Sequence, residues 1–443
     1  MKLFKYMNLG YGYLKNLFLF VISVIMLHTV ADAQSLDSLI EEAITNNPQL
    51  KAMQFKIKAS EFKAESINNY PAPNASLEFS QVPILNPVFP TQALSINLGV
   101  SQMFPLGDKL GAMTEVERRN TRIEGDSFAE YKVNLIGKIK MSYYTLWLID
   151  RKIEVQMKSI QLLSDLMKSM EITLSINRIN QVDLLTIQSE IATNETQLLI
   201  LEKQKDAENY RLNGLLGRNL DESVIFIPEE MSDIKLTMSQ TKLENMLSEI
   251  NPTLKKMDNM INMNRAMIDA NERELIPDLM LQGMFMVMPK GMILTSQSDL
   301  GMLDSKVEFM YSLMVSINLP FAPWSVNKYK AKSQELAAGI SSIIYEKTNM
   351  QREMGVKLRE LTVKFSTASE LLKLYDKKII PLTRQTTESQ ISAYQNNKSN
   401  ITAVIDSYRM MLMVQMNYYM ALADTQMSLA EIEMMVGGKI TEY

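Results

Sequence analysis

The residues of this chain best suited to chemistry are its methionines, of which there are 35 in 443 residues, twelve of them between Met257 and Met314. Met280, Met284, Met286 and Met288 share one parity of a short alternating run, and Met310 and Met314 share one parity of the next. A thioether is a soft, uncharged ligand suited to Cu(I) and Ag(I). The plainer alternative is that methionine replaces leucine throughout, because its flexible chain fills irregular apolar gaps. Met413, Met420, Met427 and Met434 recur every seven residues with Met416 beside them, and read as a packing seam of that kind.

Other reactive types are scarce. Cysteine is absent and the single histidine is His28. Residues 1–33 are expected to be a signal peptide: Lys2, Lys5 and Lys15 precede the apolar run Leu17 to Leu27, and Ala31-Asp32-Ala33 offers a cleavage site. With His28 gone, the mature chain holds no Ser-His-Asp or Cys-His system, no thiolate cluster and no imidazole metal site. No Asp or Glu pair sits in a segment that reads as a compact pocket. An enzyme is not expected, nor a cofactor, nor a stable metal site. The net charge of −4 is small and the basic residues are scattered, so no stripe exists to track nucleic acid.

The elements that would position the methionines are of two kinds. In residues 36–69, Leu36, Leu39, Ile40, Ala43, Leu50, Met53 and Ile57 fall at helical spacing until Tyr70-Pro71-Ala72-Pro73 stops the pattern. Strict alternation follows in strands at about 75–82 and 92–103, and again at about 279–288 and 306–319. Leu94, Ile96, Leu98 and Val100 oppose Ser95, Asn97, Gly99 and Ser101, and Phe309, Tyr311, Leu313, Val315 and Ile317 form the apolar face of the last run. Such strands, about 9–11 residues long, match the length that crosses an outer membrane. A half-buried soluble sheet shows the same period. An open sheet in lipid would expose two edges, so several chains would have to close one barrel together.

Long helices flank the strands. Residues 109–176 predict one helix of about 100 Å at 1.5 Å per residue, with a return helix over 182–217. Matching helices are expected over about 326–395 and 402–436. Single residues recur in the same order: Leu39, Asn47, Pro48, Leu50, Lys51 and Met53 return 204 places later as Leu243, Asn251, Pro252, Leu254, Lys255 and Met257, and Asn177, Asn180 and Gly217 return 220 places later as Asn397, Asn400 and Gly437. The chain therefore reads as a helix-strand-strand-helix unit at 34–217, a linker at 218–241 around Pro228, and a second copy at 242–443. The fold class is mainly α with a transmembrane β-barrel portion: long antiparallel coiled-coil helices plus four strands per chain.

With that layout, the Asn47-Pro48 start, the junction Val100-Ser101-Gln102-Met103-Phe104-Pro105-Leu106-Gly107 and the C-terminal run from Ala393 to Ala423 resemble the TolC-like outer-membrane efflux factors over nearly the whole mature length. Phe104 to Leu110 also looks like the junction of that family's heavy-metal branch. The resemblance implies a homotrimer closing a twelve-stranded barrel in outer-membrane lipid, continued by a helical tunnel into the periplasm. It implies a periplasmic adaptor (membrane fusion) protein and an inner-membrane pump, the RND type being one option, as partners of a passive duct. A type I secretion or multidrug duct would share this architecture. A non-channel coiled-coil scaffold would explain the helices without needing the strands.

The resemblance also marks the tunnel's periplasmic end. Its turns fall at Ile176 to Gln181 and Asn396 to Asn400, where asparagine stands in for the family's glycine and tolerates a left-handed backbone. Asn177, Asn180, Asn397, Ser399 and Asn400 are the candidates for adaptor contact. Asp183, Asp406, Arg178 and Lys398 are the candidates for the entrance or gate, although the family's gate arginine falls on Ser399 and its second aspartate ring on Ala403. If the apolar strand face meets lipid, Met280, Met284, Met286, Met288, Met310 and Met314 line the lumen, a ladder of weak sites that would favour passage over trapping.

Overall fold

The structure is a computed structural model that describes residues 35–82, 84, 93, 95–174, 181–221, 231, 236–288, 307–396 and 398–440. The expected signal peptide, most of the linker, and the turn residues Asn177, Arg178, Asn180 and Asn397 lie outside the described residues.

Ten helical elements and four strands are described, in the order α1 Leu36–Asn46, α2 Pro48–Ile67, β1 Asn74–Ser80, β2 Ser95–Phe104, α3 Lys109–Leu174, α4 Gln181–Leu216, α5 Gln240–Ile250, α6 Pro252–Arg273, β3 Leu279–Met288, β4 Glu308–Ile317, α7 Pro323–Leu374, a π-helical turn Tyr375–Ile379, α8 Ile380–Gln395 and α9 Ile401–Val436. The chain divides into two compact units. The first takes its described residues from 1–51, 131–247 and 355–443, and the second from 52–130 and 248–354.

The second unit holds the sheet, in the order β1-β2-β3-β4 and antiparallel throughout. Around it, Glu117 of α3 is buried and gathers polar groups from α2 and its own helix. Lys63 Nζ lies 2.9 Å from it, and Ser60 and Asn120 donate hydrogen bonds at 3.2 and 2.9 Å. Such networks give helix pairs a fixed register, because a buried carboxylate without donors is costly.

Two hydrophobic clusters organise the first unit. Leu163 and Met170 of α3 pack with Ile187 of α4 and with Ile401, Val404, Ile405 and Tyr408 of α9. Trp147 and Leu148 pack with Leu372 and with Ala421, Leu422 and Ala423. Of the heptad methionines, Met427 packs against the second cluster and Met416 and Met434 are half-buried, whereas Met413 is 53% exposed and Val414 and Ala421 beside the seam are buried.

The sequence pattern predicts unbroken helices at two places where the structure has a break. Residues 36–69 divide at Asn47, whose side chain accepts from the backbone N–H of Gln49 and Leu50 and so caps α2, with Pro48 at its first position. Asn251 caps α6 in the same way, accepting from Thr253 and Leu254. Residues 326–395 are interrupted by the π-helical turn just before Pro381. Proline has no N–H to continue the α pattern, and one wider turn accommodates the lost bond.

Gly217, which follows α4, sits at φ +77° with its Cα facing the α1–α2 break; an added Cβ would meet the Asn46 carbonyl oxygen at 3.1 Å. Asn47 donates to the Leu215 carbonyl at 3.1 Å, and Arg218 holds Glu42 through two hydrogen bonds of 2.5 Å. These contacts explain why asparagine and glycine are needed at that spacing.

Candidate functional site: a two-faced sheet and a helical turn

The register sorts the strand residues onto two faces. Ser76, Asn97, Gln282 and Ser312 share one face, because Ser76 pairs with Gly99, Gly99 with Met284 and Met284 with Ser312, while Asn97 and Gln282 hold the same parity along their strands. Leu77, Leu98, Phe285 and Tyr311 form one cross-sheet row of the opposite face. The apolar face is exposed, with Tyr311 at 82% and Leu313 at 80%; on the polar face Ser95, Asn97 and Gly99 of β2 are buried, while Ser76 and Glu78 of β1 and Ser312 of β4 are exposed. That is the reverse of a water-soluble sheet, which turns its apolar side inward. Gln102 is the polar exception on the apolar face, and its amide donates to the Pro71 carbonyl at 2.9 Å. Among the described residues β1 and β4 have no further strand partner.

The polar face is tightly fitted at its centre. A Cβ on Gly99 would meet Ser76 Oγ at 2.6 Å. Asn97 donates to Ser80 Oγ at 3.0 Å, and Ser80 and Ser95 share a 3.1 Å hydrogen bond. The six methionines expected on one face do lie on one face, with Met310 and Met314 exposed and Met280, Met284, Met286 and Met288 half-buried.

One rim of the sheet is locked by polar groups. Lys109, at the start of α3 just after β2, is buried and places Nζ 2.7 Å from Asp278 Oδ1, ahead of β3. Asp278 also takes 2.8 Å from Asn318 Nδ2, beyond β4, and returns its own N–H to Asn318 Oδ1 at 2.6 Å. Three strand ends are thus tied together. Gly107 and Asp108 turn the chain here at φ +69° and +58°, and Arg273 holds the Gly107 carbonyl and the Asp108 carboxylate at 3.1 Å each. A Cβ on Gly107 would stand 2.3 Å from Ile276 Cδ1 and 3.0 Å from its Cγ2, at a φ that favours glycine.

In the first unit, the described candidates lie at the facing ends of α4, α8 and α9. Asp183 stands in the first turn of α4, where a carboxylate suits the helix dipole. Burial, and then the charge of Asp183, raise the pKa of Tyr394, whose hydroxyl has no hydrogen-bond partner among the described residues. Lys398 is exposed and its N–H closes α8 on the Ala393 carbonyl at 2.8 Å. Ser399 donates to Gln390 at 3.1 Å, and Asn400 caps α9 by accepting from the Ala403 N–H at 2.9 Å. Asp406 is exposed and lies 3.5 Å from Arg409 Nη1.

The strongest polar contact here involves two residues outside the expected set. Arg409 of α9 grips Glu190 of α4 with hydrogen bonds of 3.0 and 2.6 Å, and these bonds raise the arginine's pKa further. Glu190 is buried to 8% exposure and also accepts from Asn194. The residues are 219 positions apart, so no local pattern announces the pair. Met103 joins the six methionines on the polar face, sharing parity with Ser95, Asn97 and Ser101.

No helix among the described residues is long and apolar enough to cross a membrane, and no group of three His, Cys, Asp or Glu among them could hold a metal ion. No protein-family model matches the sequence. No curated protein matches it either. Solved structures do. The outer-membrane channel OprN superposes with a TM-score of 0.74 at 13% identity, covering 91% of this chain and 90% of that one. CusC, described for its folding and transmembrane channel formation, gives 0.73 at 15%, covering 91% and 92%. The outer membrane protein VceC of Vibrio cholerae gives 0.71 at 12%, covering 92% and 97%. The chain has the fold of the TolC-like outer-membrane efflux channels.

Proposed function

We propose that this chain is the outer-membrane duct of a tripartite efflux system, a passive conduit with no catalysis of its own. The observation that carries the reading is the inverted sheet, apolar and exposed on one face, polar on the other, with β1 and β4 lacking a further strand partner among the described residues. Backbone edges cannot face lipid unpaired, and pairing β1 of one copy with β4 of the next closes them without new elements. Three copies would make a twelve-stranded barrel. Its apolar face meets outer-membrane lipid and its polar face meets the passage.

The chain extends into the periplasm and meets an adaptor and an inner-membrane pump. Asn177, Asn180, Asn397, Ser399 and Asn400 are the adaptor-contact candidates, and Asp183, Asp406, Arg178 and Lys398 are the entrance candidates. The repeated Asn-Pro caps at α2 and α6 support a doubled chain with the halves joined at 218–241. Residues 1–33 are the export signal. The cargo reading is a soft metal ion such as Cu(I) or Ag(I), supported by the methionines on the polar face; a drug or a secreted protein is the other reading for the same architecture.

The mass of the membrane-extracted protein in detergent and its single-channel conductance in planar bilayers test the duct together. A stable trimer that conducts is the expected result. A water-soluble monomer that never conducts would overturn it in favour of a coiled-coil scaffold.

A further inference from the structure

We infer that two cross-strand methionine pairs, Met286 with Met310 and Met103 with Met280, are exchangeable thioether sites for a soft monovalent cation. The inference rests on the proposed duct, in which the polar face borders the passage.

The distribution of methionine argues against mere replacement of leucine. Every methionine of the four strands stands on the polar face and none on the apolar face, where Leu77, Leu98, Leu281 and Leu313 are found. A residue used as apolar filler would fall where the apolar residues are. These fall among serine, asparagine and glutamine instead, so their sulfur atoms are presented to whatever occupies that side.

The register then brings them together in twos. Met286 is the direct partner of Met310, and Met103 of Met280. Directly opposed residues in an antiparallel pair hold their Cβ atoms about 4.5–5.5 Å apart, so two flexible thioether arms can converge on one ion. A pair of thioethers favours Cu(I) or Ag(I) over Mg(II) or Ca(II), because soft sulfur donors suit soft ions.

The first pair has further support along its row. Glu78, Asn97, Met286 and Met310 follow one another across the four strands. Asn97 is 3% exposed and its Oδ1 has no hydrogen-bond partner among the described residues. An orphaned amide oxygen beside two thioethers can complete the ion's surroundings. No lysine or arginine stands on this face of the strands to repel a cation. Met284 and Met314 face Ser312 and Gln282 rather than sulfur, which makes them single steps between the pairs.

The purified trimer titrated with silver nitrate in chloride-free buffer, read by calorimetry and by silver X-ray absorption, tests this directly. The expected result is about two weakly held ions per chain, one per pair, each with two sulfur neighbours. M286L with M310L should remove about half of that binding, and M103L with M280L the other half, while M413L, at an exposed position of α9, removes none. Leucine conserves the volume, so the variants should stay trimeric and conduct. Silver bound through oxygen or nitrogen alone, or binding unchanged in both double variants, would overturn the sites. Loss of conductance or of the trimer in the silver-free wild type would instead overturn the duct, so the two failures are told apart. Mixed outcomes are settled by the absorption spectrum of the wild type, which either contains paired sulfur or does not.

Discussion

The four-stranded sheet and the helical cluster at the α4 and α9 ends solve opposite problems. The sheet exposes Tyr311 and Leu313 and buries Asn97, while the helical cluster buries Leu163, Ile187 and Val404 and leaves Asp406 and Lys398 outside. One region is built for an apolar surrounding and the other for water. The difference teaches that hydrophobic pattern alone sets which side of an element is greasy, and that the solvent decides which side is out.

The sharpest way to break this contrast is to put a charge on the sheet's apolar face. Leu313→Arg stands at an outward position of β4 opposite Gly283. In lipid an arginine near the midplane costs about 2–4 kcal/mol, so the trimer that the proposed duct requires should be lost from outer-membrane fractions on unheated gels. Ser312→Arg, one residue away on the polar face, should keep the trimer and lower conductance. Equal tolerance of both would mean the apolar face does not meet lipid.

A smaller effect is expected in the helical cluster. Arg409→Ala leaves Glu190 buried with Asn194 as its remaining side-chain donor among the described residues. Because the arginine is itself well exposed, the loss should be about 1–2 kcal/mol, read as a lower denaturation midpoint. Arg409→Lys should recover part of it, since an ammonium lacks the two-pronged geometry. A midpoint unmoved by either change would show that the hydrophobic cluster alone holds these helices.

The network at Glu117 belongs to the second unit and gives a pH signature. Burial works against its ionisation, but hydrogen bonds from Lys63 and Asn120 and the lysine's charge outweigh it and lower its pKa. The folded chain therefore binds this proton more weakly than the unfolded chain does. The stabilisation is whole above the ordinary glutamate value of about 4.3 and is lost as pH falls through the lower folded value. Glu117→Gln should lower the melting temperature at neutral pH, by about 1 kcal/mol of stability, and the gap should close under acid. A gap that persists below both values would assign the loss to packing rather than charge.

The smallest change is at the helix cap. Asn400→Ala removes the bond to the Ala403 N–H and should cost about 0.5–1 kcal/mol, visible as faster amide exchange in the first turn of α9. Unchanged exchange there would mean that the packing of Ile401 and Val404 holds the turn without its cap.

Much of this was legible in the residues. Alternation in 92–103 and 306–319 marks both faces of the sheet without reference to the pairing, because the strand period of two is a local property. The stretch 279–288 coincides with β3, where Pro277 and Pro289 bracket the alternation. The absence of cysteine and the lone His28 excluded whole chemistries outright. The helix breaks at Asn47 and before Pro381 were less visible, since capping and a π turn leave the apolar spacing nearly intact.

What the sequence by itself determined is therefore the kind of each element and the character of each face, because period, proline and residue chemistry act within a few neighbours. Only the tertiary structure decided which faces meet: Lys109 with Asp278, Glu190 with Arg409, Met103 with Met280 and Met286 with Met310. Those partners lie far apart along the chain except for the last, and even there the pairing depends on strand register. A slip of one residue would send every side chain of a strand to the other face, and only packing of the whole sheet prevents it.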